Sequence, residues 1–265
     1  IYVAVDKNRR EGISRLTHDE ETSDTDVILL DDAFQHRYVK PGINILLVDY
    51  HRLIIYDELL PAGHLRESKD GKRRADMVII TKCPKDLKPM EFRVLTRAMD
   101  LYPYQNLFFT TLNYKKPKGI FSDKEMALTD ISNDTSIMLL TGIASPQQMI
   151  VDLKPYGKQI VPLSFADHHN FSASDIEKIN SKFAALPSPR IIITTEKDRS
   201  RLLTAEGLSE EVKGSIYALP IEVKFMLDGE KTFDEKIISY VRKNSRNSIL
   251  AKRKEEKEKE KNRNK

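Results

Sequence analysis

The sequence is almost free of cysteine, and this scarcity limits the classes of protein to which it can belong. Cys83 is the only cysteine among 265 residues, so no disulfide can form within the chain, and a reducing compartment fits this composition. Long apolar runs are missing too, since none approaches the ~20 residues that a membrane-spanning helix needs. A disulfide-stabilised fold is therefore excluded, and the sequence offers no transmembrane candidate.

Three glycine-based motifs of common enzyme classes are also missing. The sequence has neither a Gly-x-x-x-x-Gly-Lys-Ser/Thr phosphate loop nor a dinucleotide fingerprint, and it lacks the Gly-x-Ser-x-Gly elbow of hydrolases. A phosphoryl-transfer enzyme needs a phosphate cradle, so that interpretation requires a loop upstream of Ile1. Because the chain starts with Ile1 rather than Met, and residues 1–5 already have the composition of a strand, we expect the natural N-terminus to lie further upstream.

Neither sign of charge dominates the body of the chain. Lysine and arginine number 44 against 40 acidic residues, which gives a formal net charge of +4. Residues 251–265 contain eight basic and four acidic side chains and so carry the whole excess. A basic field for nucleic acid is therefore not supported, and we expect no nucleic-acid partner. Binding of nucleic acid through this tail is a remaining alternative, which deletion of the tail would test.

Apolar runs with the length of strands alternate with segments of helical periodicity. The predicted strands are 1–5, 27–31, 44–49, 77–82, 107–112, 137–141, 159–163, 190–195 and 216–224. The predicted helices lie near 8–17, 89–101, 146–155, 173–186 and 232–244. This alternation predicts an α/β fold with mostly parallel strands.

The polar, turn-rich segment 113–136 interrupts this alternation. A new series of strands and helices begins at Ile137, so we place a lobe boundary before it. The predicted organisation is a first lobe over 1–113, a second α/β lobe over 114–225, a C-terminal helix over 226–245 and a charged, disordered tail over 246–265.

The most informative segment joins the apolar residues 27–30 to the adjacent carboxylates of Asp31 and Asp32. A buried parallel strand has such a composition, and ligands of open α/β sheets bind at the carboxyl ends of strands. Two acids there are unfavourable unless a cation offsets their charge, and Mg²⁺ beside a phosphate is the expected occupant. Gln35 and His36 follow in a turn and could orient a phosphate acceptor. The alternatives are a helix N-cap for the acids and a merely polar surface turn.

A second loop, residues 59–67, delivers Arg66 and Glu67 side by side. Its proline and glycine fix the path of the backbone. The arginine fork matches phosphate oxygens, and the glutamate could enlarge a magnesium shell. The alternative is an exposed ion pair, which would contribute little to stability.

Two further segments that follow strands carry polar groups. His168 and His169 are adjacent, which does not favour zinc because neighbouring side chains of an extended segment diverge. One histidine that orients or deprotonates an acidic partner is favoured over zinc, and a structural histidine is the competing interpretation. Residues 81–84 weakly resemble the Lys-x-x-Asp loops that read nucleobases, but Asp86 falls one residue too late.

Three motifs together resemble the tetraacyldisaccharide 4'-kinase family, the lipid A 4'-kinases. They are Leu-Asp-Asp-Ala-Phe-Gln-His at 30–36, Leu-Pro-Ala-Gly-x-Leu-Arg-Glu at 60–67, and Asp167 with His168 after a phenylalanine. The motifs follow the family's order over most of 1–225, and the first two are specific.

The resemblance implies two α/β/α lobes joined by a short two-stranded linker. The first lobe would be the remainder of a P-loop NTPase-like kinase core and incomplete, so we expect this chain alone to be an inactive fragment. The family transfers the γ-phosphate of ATP, with Mg²⁺, to the 4'-hydroxyl of a lipid-linked disaccharide 1-phosphate. The implied location is peripheral, on the cytoplasmic face of the bacterial inner membrane, with this segment itself soluble. A non-enzymatic nucleotide- or ligand-binding α/β module is the alternative.

The resemblance also implies roles for individual residues. The cofactor-binding residues are implied to be Asp31, Asp32, Gln35 and His36. The metal ligands are implied to be Asp31, Asp32 and Glu67. Asp32 and His168 are implied to be catalytic, with His168 paired to a carboxylate upstream of this chain. Arg66 would face a phosphate, and Arg9 is a weaker candidate for the phosphate of the substrate.

Overall fold

A computed structural model describes residues 1–143, 146–166 and 169–244. By its internal contacts the chain divides into two compact units. Among the described residues, the first unit contains 1–111 and 224–244, and the second contains those between 112 and 223. The domain borders predicted from the sequence lie at 113/114 and 225/226, and their assignment to a kinase core and a second lobe stays a prediction.

Strands and helices alternate along the chain, which confirms the predicted α/β class. The strands are β1 (Ile45–Asp49), β2 (Met77–Thr81), β3 (Asn106–Tyr114), β4 (Lys118–Gly119), β5 (Ser136–Thr141), β6 (Gln159–Ser164), β7 (Arg190–Thr195), β8 (Ile216–Leu219) and β9 (Ile221–Phe225). The helices are α1 (Arg9–His18), α2 (Pro89–Met99), α3 (Gln147–Leu153), α4 (Ala173–Ala184), α5 (Glu196–Leu203), α6 (Glu210–Ser215) and α7 (229–244). Among the described residues, none of these helices has both the length and the apolar character that a bilayer crossing requires.

The first unit is built on a four-stranded sheet of order β1-β2-β3-β9, in which β1, β2 and β3 run parallel. Helices cover both faces, so β2 is apolar and buried along most of its length. Val78 and Ile80 belong to the cluster that includes Phe92 of α2. Ile79 points to the other face, where Phe233 of α7 packs. The carboxyl ends of β1 and β2 therefore meet at one edge of a rigid sheet.

The second unit has a five-stranded sheet of order β4-β8-β7-β5-β6. Its pairings are parallel except for the short antiparallel contact of β4 with β8. Alternate residues of β5 serve opposite faces: Ile137 packs with Met149 of α3, and Met138 packs with Phe183 of α4. The helices thus form a layer on each side of the sheet.

Two of the predicted strands are wrong. Residues 1–5 and 27–31 are not in strands, and the side chains of Val3 and Leu29 are 88% and 90% exposed. A strand needs a neighbour to satisfy its backbone hydrogen bonds, and in the described part of the chain none pairs with these segments. Apolar, β-branched composition favours a strand but does not supply that neighbour.

Sequence reasoning also missed the short helices α5 and α6, and it merged β8 with β9 into one strand. Pro220 separates the two strands, because it lacks the N–H that would continue a ladder. Its carbonyl accepts a hydrogen bond from the amide of Lys115 at 2.9 Å. The chain thereby leaves the five-stranded sheet at β8 and enters the four-stranded sheet at β9.

Candidate functional site

The two acids of the predicted metal site lie in an exposed turn, residues 31–37, which we call the acid turn. Asp31 and Asp32 are both exposed, and the side chain of Asp32 is 78% accessible. The backbone of Asp32 lies in the left-handed region, with φ +46°, which aspartate tolerates better than most residues. The amide of His36 donates to the carbonyl of Ala33 at 2.9 Å. The acid turn therefore presents two carboxylates to solvent.

The second predicted motif forms a tight loop, residues 57–67, which we call the arginine loop. One oxygen of Asp57 accepts hydrogen bonds from the amides of Glu58 at 2.9 Å and His64 at 3.1 Å. Burial by itself would raise the pKa of Asp57, but these donors outweigh it and hold that pKa below its ordinary value. Gly63 is required here, since a Cβ atom would lie 2.2 Å from the carbonyl oxygen of Glu58.

Glu67 joins the acid turn to the arginine loop through two arginines. Its Oε2 lies 3.0 Å from Nη2 of Arg37, and its Oε1 lies 2.5 Å from Nη2 of Arg74. Arg74 also donates to the carbonyl of Phe34 at 3.2 Å, and its guanidinium lies 4.7 Å from the centroid of that ring. Burial of Glu67 would raise its pKa, but the two guanidinium groups outweigh burial and lower it.

The metal role predicted for Glu67 stays a prediction. Both of its carboxylate oxygens pair with guanidinium groups in this structure. Its side chain is only 18% exposed, which leaves little room for a hydrated ion. In this structure Glu67 fastens two loops together.

Two of the predicted site residues, Asp32 and Arg66, lie close together. Nη1 of Arg66 lies 3.6 Å from Oδ2 of Asp32. Both side chains are largely exposed, so their attraction is screened and contributes little to stability. Because the two side chains are exposed and close together, both could contact one ligand that carries a phosphate and a metal ion.

The acid turn fits one kind of metal site and not another. Within the ranges that the structure describes, no group of three or more histidine, cysteine or acidic side chains could enclose a metal ion. Mg²⁺ at nucleotide sites commonly uses one or two carboxylates and completes its shell with phosphate oxygens and water. The exposed carboxylates of Asp31 and Asp32 suit that second kind of site.

Three other predicted residues are less closely tied to this pair. Gln35 is exposed in the acid turn. His36 has a buried Nε2 atom without a hydrogen-bond partner among the described residues, and its ring lies 5.8 Å from that of Tyr38. Arg9 begins α1, where its guanidinium donates to the carbonyl of Asp6. None of the described contacts of Arg9 reaches the acid turn.

The predicted catalytic residue His168 and its neighbour Asp167 lie outside the described residues. His169, which we did not favour, is described and has an orienting carboxylate: its Nε2 lies 2.8 Å from Oδ2 of Asp175. Its ring stacks on Phe165 with 5.0 Å between centroids. Hydrogen bonds from the Ser172 side chain and then from His169 lower the pKa of Asp175 to about 2.

Sequence reasoning missed a charged pair at the ends of β1 and β2. Nζ of Lys82 lies 2.6 Å from Oδ2 of Asp49. Burial alone would raise the pKa of Asp49, but Lys82 and the amide of His51 outweigh it and lower that pKa. The available signal was position, because both residues stand at the carboxyl end of a predicted strand.

Known proteins are similar in sequence to this chain over most of its length. The sequence model of the tetraacyldisaccharide-1-P 4'-kinase family, LpxK, matches residues 1–242. A tetraacyldisaccharide 4'-kinase of Phocaeicola vulgatus is 55% identical over 250 residues, which cover 94% of this chain and 68% of that protein. One from Bacteroides thetaiotaomicron is 48% identical over 263 residues, which cover 96% of this chain and 69% of that protein. These comparisons do not bear out the expectation that this chain is inactive.

A solved structure is similar in fold. It is described as the "apo" form of LpxK from Aquifex aeolicus in complex with ATP, and it matches with a TM-score of 0.50 at 24% sequence identity. The match covers 80% of this chain, which spans 56% of that chain. At this identity the likeness supports the fold.

Proposed function

The chain belongs to the tetraacyldisaccharide-1-P 4'-kinase family, and from that membership we propose that it transfers the γ-phosphate of ATP to the 4'-hydroxyl of a tetraacyl disaccharide 1-phosphate, a step of lipid A biosynthesis. The observation that carries the proposal is the union of the acid turn with the arginine loop. It brings a carboxylate pair and an arginine to one place, with Asp32 3.6 Å from Arg66.

This union suits phosphoryl transfer because that reaction depends on positioning and on neutralising phosphate charge. Asp31 and Asp32 would hold Mg²⁺, which when bound offsets the charge of the nucleotide's phosphates. Arg66 would contact phosphate oxygens with its planar fork. Gln35 and His36 would line the same turn and orient the groups that react.

Glu67 and its arginine partners would keep the two loops in register. Arg74 links the two loops directly, since it contacts Glu67 in one and Phe34 in the other. Pre-organised loops hold catalytic groups within the narrow tolerance that transfer requires. The metal role that the family resemblance implies for Glu67 remains a proposal beside this positioning role.

Two residues enter the proposal from the family resemblance alone. His168 would support the base that acts on the acceptor hydroxyl. Arg9 would contact the phosphate of the acceptor. The first unit would then be the kinase core, and the second would be the lobe that carries His168.

The proposed acceptor has fatty acyl chains, and such a substrate resides in a membrane. We therefore propose that the protein works peripherally on the cytoplasmic face of the bacterial inner membrane. Its partners would be ATP and the lipid-linked disaccharide 1-phosphate, with no nucleic acid.

The experiment is an assay of labelled phosphate transfer from ATP to the disaccharide acceptor in mixed micelles, with the protein as its gene encodes it. We expect Asp32→Asn to lower kcat/KM by about 100-fold or more, because a carboxylate that would hold Mg²⁺ beside the transferred phosphate is lost. Asp24→Asn is the matched control, since Asp24 is exposed and lies outside the acid turn. Equal activity of the two variants would contradict the proposal.

The same assay separates the kinase from a binding module. Binding of ATP with no transfer to the acceptor, under conditions where a family relative is active, would favour a non-enzymatic nucleotide-binding protein. Transfer that requires Mg²⁺ and is lost in Asp32→Asn would support the kinase.

A further inference from the structure

The ends of β1 and β2 carry a charged pair that the proposed phosphate site does not use. Nζ of Lys82 is 2.6 Å from Oδ2 of Asp49, and Oδ1 of Asp49 accepts the amide of His51 at 2.9 Å. The side chains of Lys82 and Asp49 are 37% and 29% exposed, so a ligand can reach both.

The backbone that carries Lys82 is held firmly. The amide of Cys83 donates to the carbonyl of Thr110 at 2.9 Å, and the hydroxyl of Thr111 donates to the carbonyl of Cys83 at 2.7 Å. Lys82 itself has φ +58°, a left-handed conformation that is unfavourable for a long side chain. The surrounding contacts thus hold Lys82 in an unfavourable backbone conformation. Such conformations are found most often at functional sites.

A purely structural role for the pair explains less. The strands β1 and β2 are already hydrogen-bonded in parallel from Ile45 with Met77 to Asp49 with Thr81. A partly exposed ion pair adds little stability to such a ladder. The left-handed backbone of Lys82 offsets even that small gain in stability. Stabilisation of the fold therefore does not explain why the two residues are paired.

The position and chemistry of the pair indicate what it binds. Ligands of open α/β sheets lie beyond the carboxyl ends of parallel strands, where this pair stands. Base-reading loops of the Lys-x-x-Asp type combine a lysine with a carboxylate, and here Asp86 is one residue late for that pattern. The structure supplies a carboxylate from the neighbouring strand instead, in Asp49.

We propose that Asp49 and Lys82 bind the nucleoside end, the base and ribose, of the nucleoside triphosphate. The assignment rests on the proposed kinase function and extends it to a part of the substrate that the acid turn and the arginine loop do not contact. The fixed carboxylate of Asp49 accepts hydrogen bonds from ribose hydroxyls or an exocyclic amine. The ammonium of Lys82 has three N–H donors. One donates a hydrogen bond to Asp49, and the others can donate to ring nitrogens or ribose oxygens.

The test compares two ligands by calorimetry in the presence of Mg²⁺: ATP and inorganic tripolyphosphate, which lacks the nucleoside. We expect Lys82→Met and Asp49→Asn each to weaken ATP binding by about tenfold or more, because a charge-assisted hydrogen bond is lost. Binding of tripolyphosphate should stay within about twofold of its original value. Lys116→Met is the control, since Lys116 is exposed in the second unit, and it should change neither.

The proposal is overturned if the Lys82 and Asp49 variants bind ATP as tightly as the unaltered protein does, or if they lose both ligands equally. Asp32→Asn separates this outcome from failure of the kinase proposal, because that variant should weaken ATP and tripolyphosphate alike. If the unaltered protein binds neither ligand, the kinase proposal and this one fall together.

A measurement on the unaltered protein covers variants that do not fold. Acetylation of Lys82 by an amine-reactive reagent, followed by mass spectrometry, should slow about tenfold when ATP saturates the protein, since a charge-assisted hydrogen bond then holds the ammonium. Saturating tripolyphosphate should leave the rate unchanged. Equal protection by both ligands, or by neither, contradicts the assignment.

Discussion

At the scale of single residues, the guanidinium of Arg74 connects the acid turn to the arginine loop. It reaches Glu67 at 2.5 Å and the carbonyl of Phe34 at 3.2 Å, and it lies over the Phe34 ring. Nη2 donates both hydrogen bonds, while the planar group lies over the aromatic ring. The geometry of the site therefore depends on a residue that touches no proposed substrate group.

Replacement of Arg74 should test this dependence. We expect Arg74→Ala to lower the free energy of unfolding by roughly 1–3 kcal/mol, because a largely buried carboxylate loses a charged partner. Arg74→Lys should restore part of the stability but leave the KM for ATP raised, since the fork is lost. The measurements are urea denaturation and steady-state kinetics.

Arg73→Ala is the neighbouring control, because Arg73 is exposed and only its carbonyl has a described contact, with the hydroxyl of Tyr104. Its stability and KM should stay near those of the unaltered protein. If Arg74→Ala behaves like Arg73→Ala, Arg74 does not hold the loops together.

Parts of this site could be predicted from the sequence, and parts could not. Asp32 and Arg66 belong to motifs that combine charged residues with turn-forming ones, and in the structure they lie close together. The engagement of Glu67 could not be foreseen, because its partner Arg37 lies thirty positions away. Such a contact depends on how two loops fold over each other, which residue types alone do not specify.

At the scale of elements, the cap at the start of α4 makes the stability of the protein depend on pH. Oγ of Ser172 accepts from the amide of Asp175 at 3.3 Å, and the carboxylate of Asp175 accepts from the amide of Ser172 at 2.9 Å. This reciprocal cap satisfies two backbone donors that would otherwise be free. The hydroxyl of Ser172 and the ring of His169 also donate to this carboxylate, at 2.6 Å and 2.8 Å.

The cap predicts loss of stability in acid. Because folding lowers the pKa of Asp175 from 3.8 to about 2, its contribution is present above 3.8 and is lost as the pH falls towards 2. Asp175→Asn should therefore flatten the dependence of the free energy of unfolding on pH in that interval. Urea denaturation at several pH values measures this slope.

The control for this experiment is Asp134→Asn, since Asp134 is exposed and lies outside α4. That variant should keep the slope of the unaltered protein. An unchanged slope in Asp175→Asn would show that the cap carries no linkage to protons.

The helix α4 was predictable for the same local reasons that stabilise it. Its apolar residues Ile176, Ile179 and Phe183 recur at helical spacing and are buried. The segments 1–5 and 27–31 were not predictable in this way, because a strand is completed by a partner far along the chain. Local periodicity therefore identified the amphipathic helices better than the strands.

At the scale of the whole molecule, each unit contains a sheet and apolar clusters of its own. The first unit packs around β2, and the second packs around β5 and β7. The alternation of strands and helices predicted this class of fold, and the polar segment 113–136 indicated where one series ends. The exact borders could not be read from composition, since they fall inside the continuous strands β3 and β9.

The central claim is that the acid turn and the arginine loop together hold the metal-bound phosphates of a nucleotide. The most direct test is a crystal structure of the protein, as its gene encodes it, with Mg²⁺ and a non-hydrolysable ATP analogue. We expect a cation bound by the carboxylates of Asp31 and Asp32, with the guanidinium of Arg66 against a phosphate oxygen. A triphosphate bound elsewhere, with both carboxylates turned to water, would contradict it.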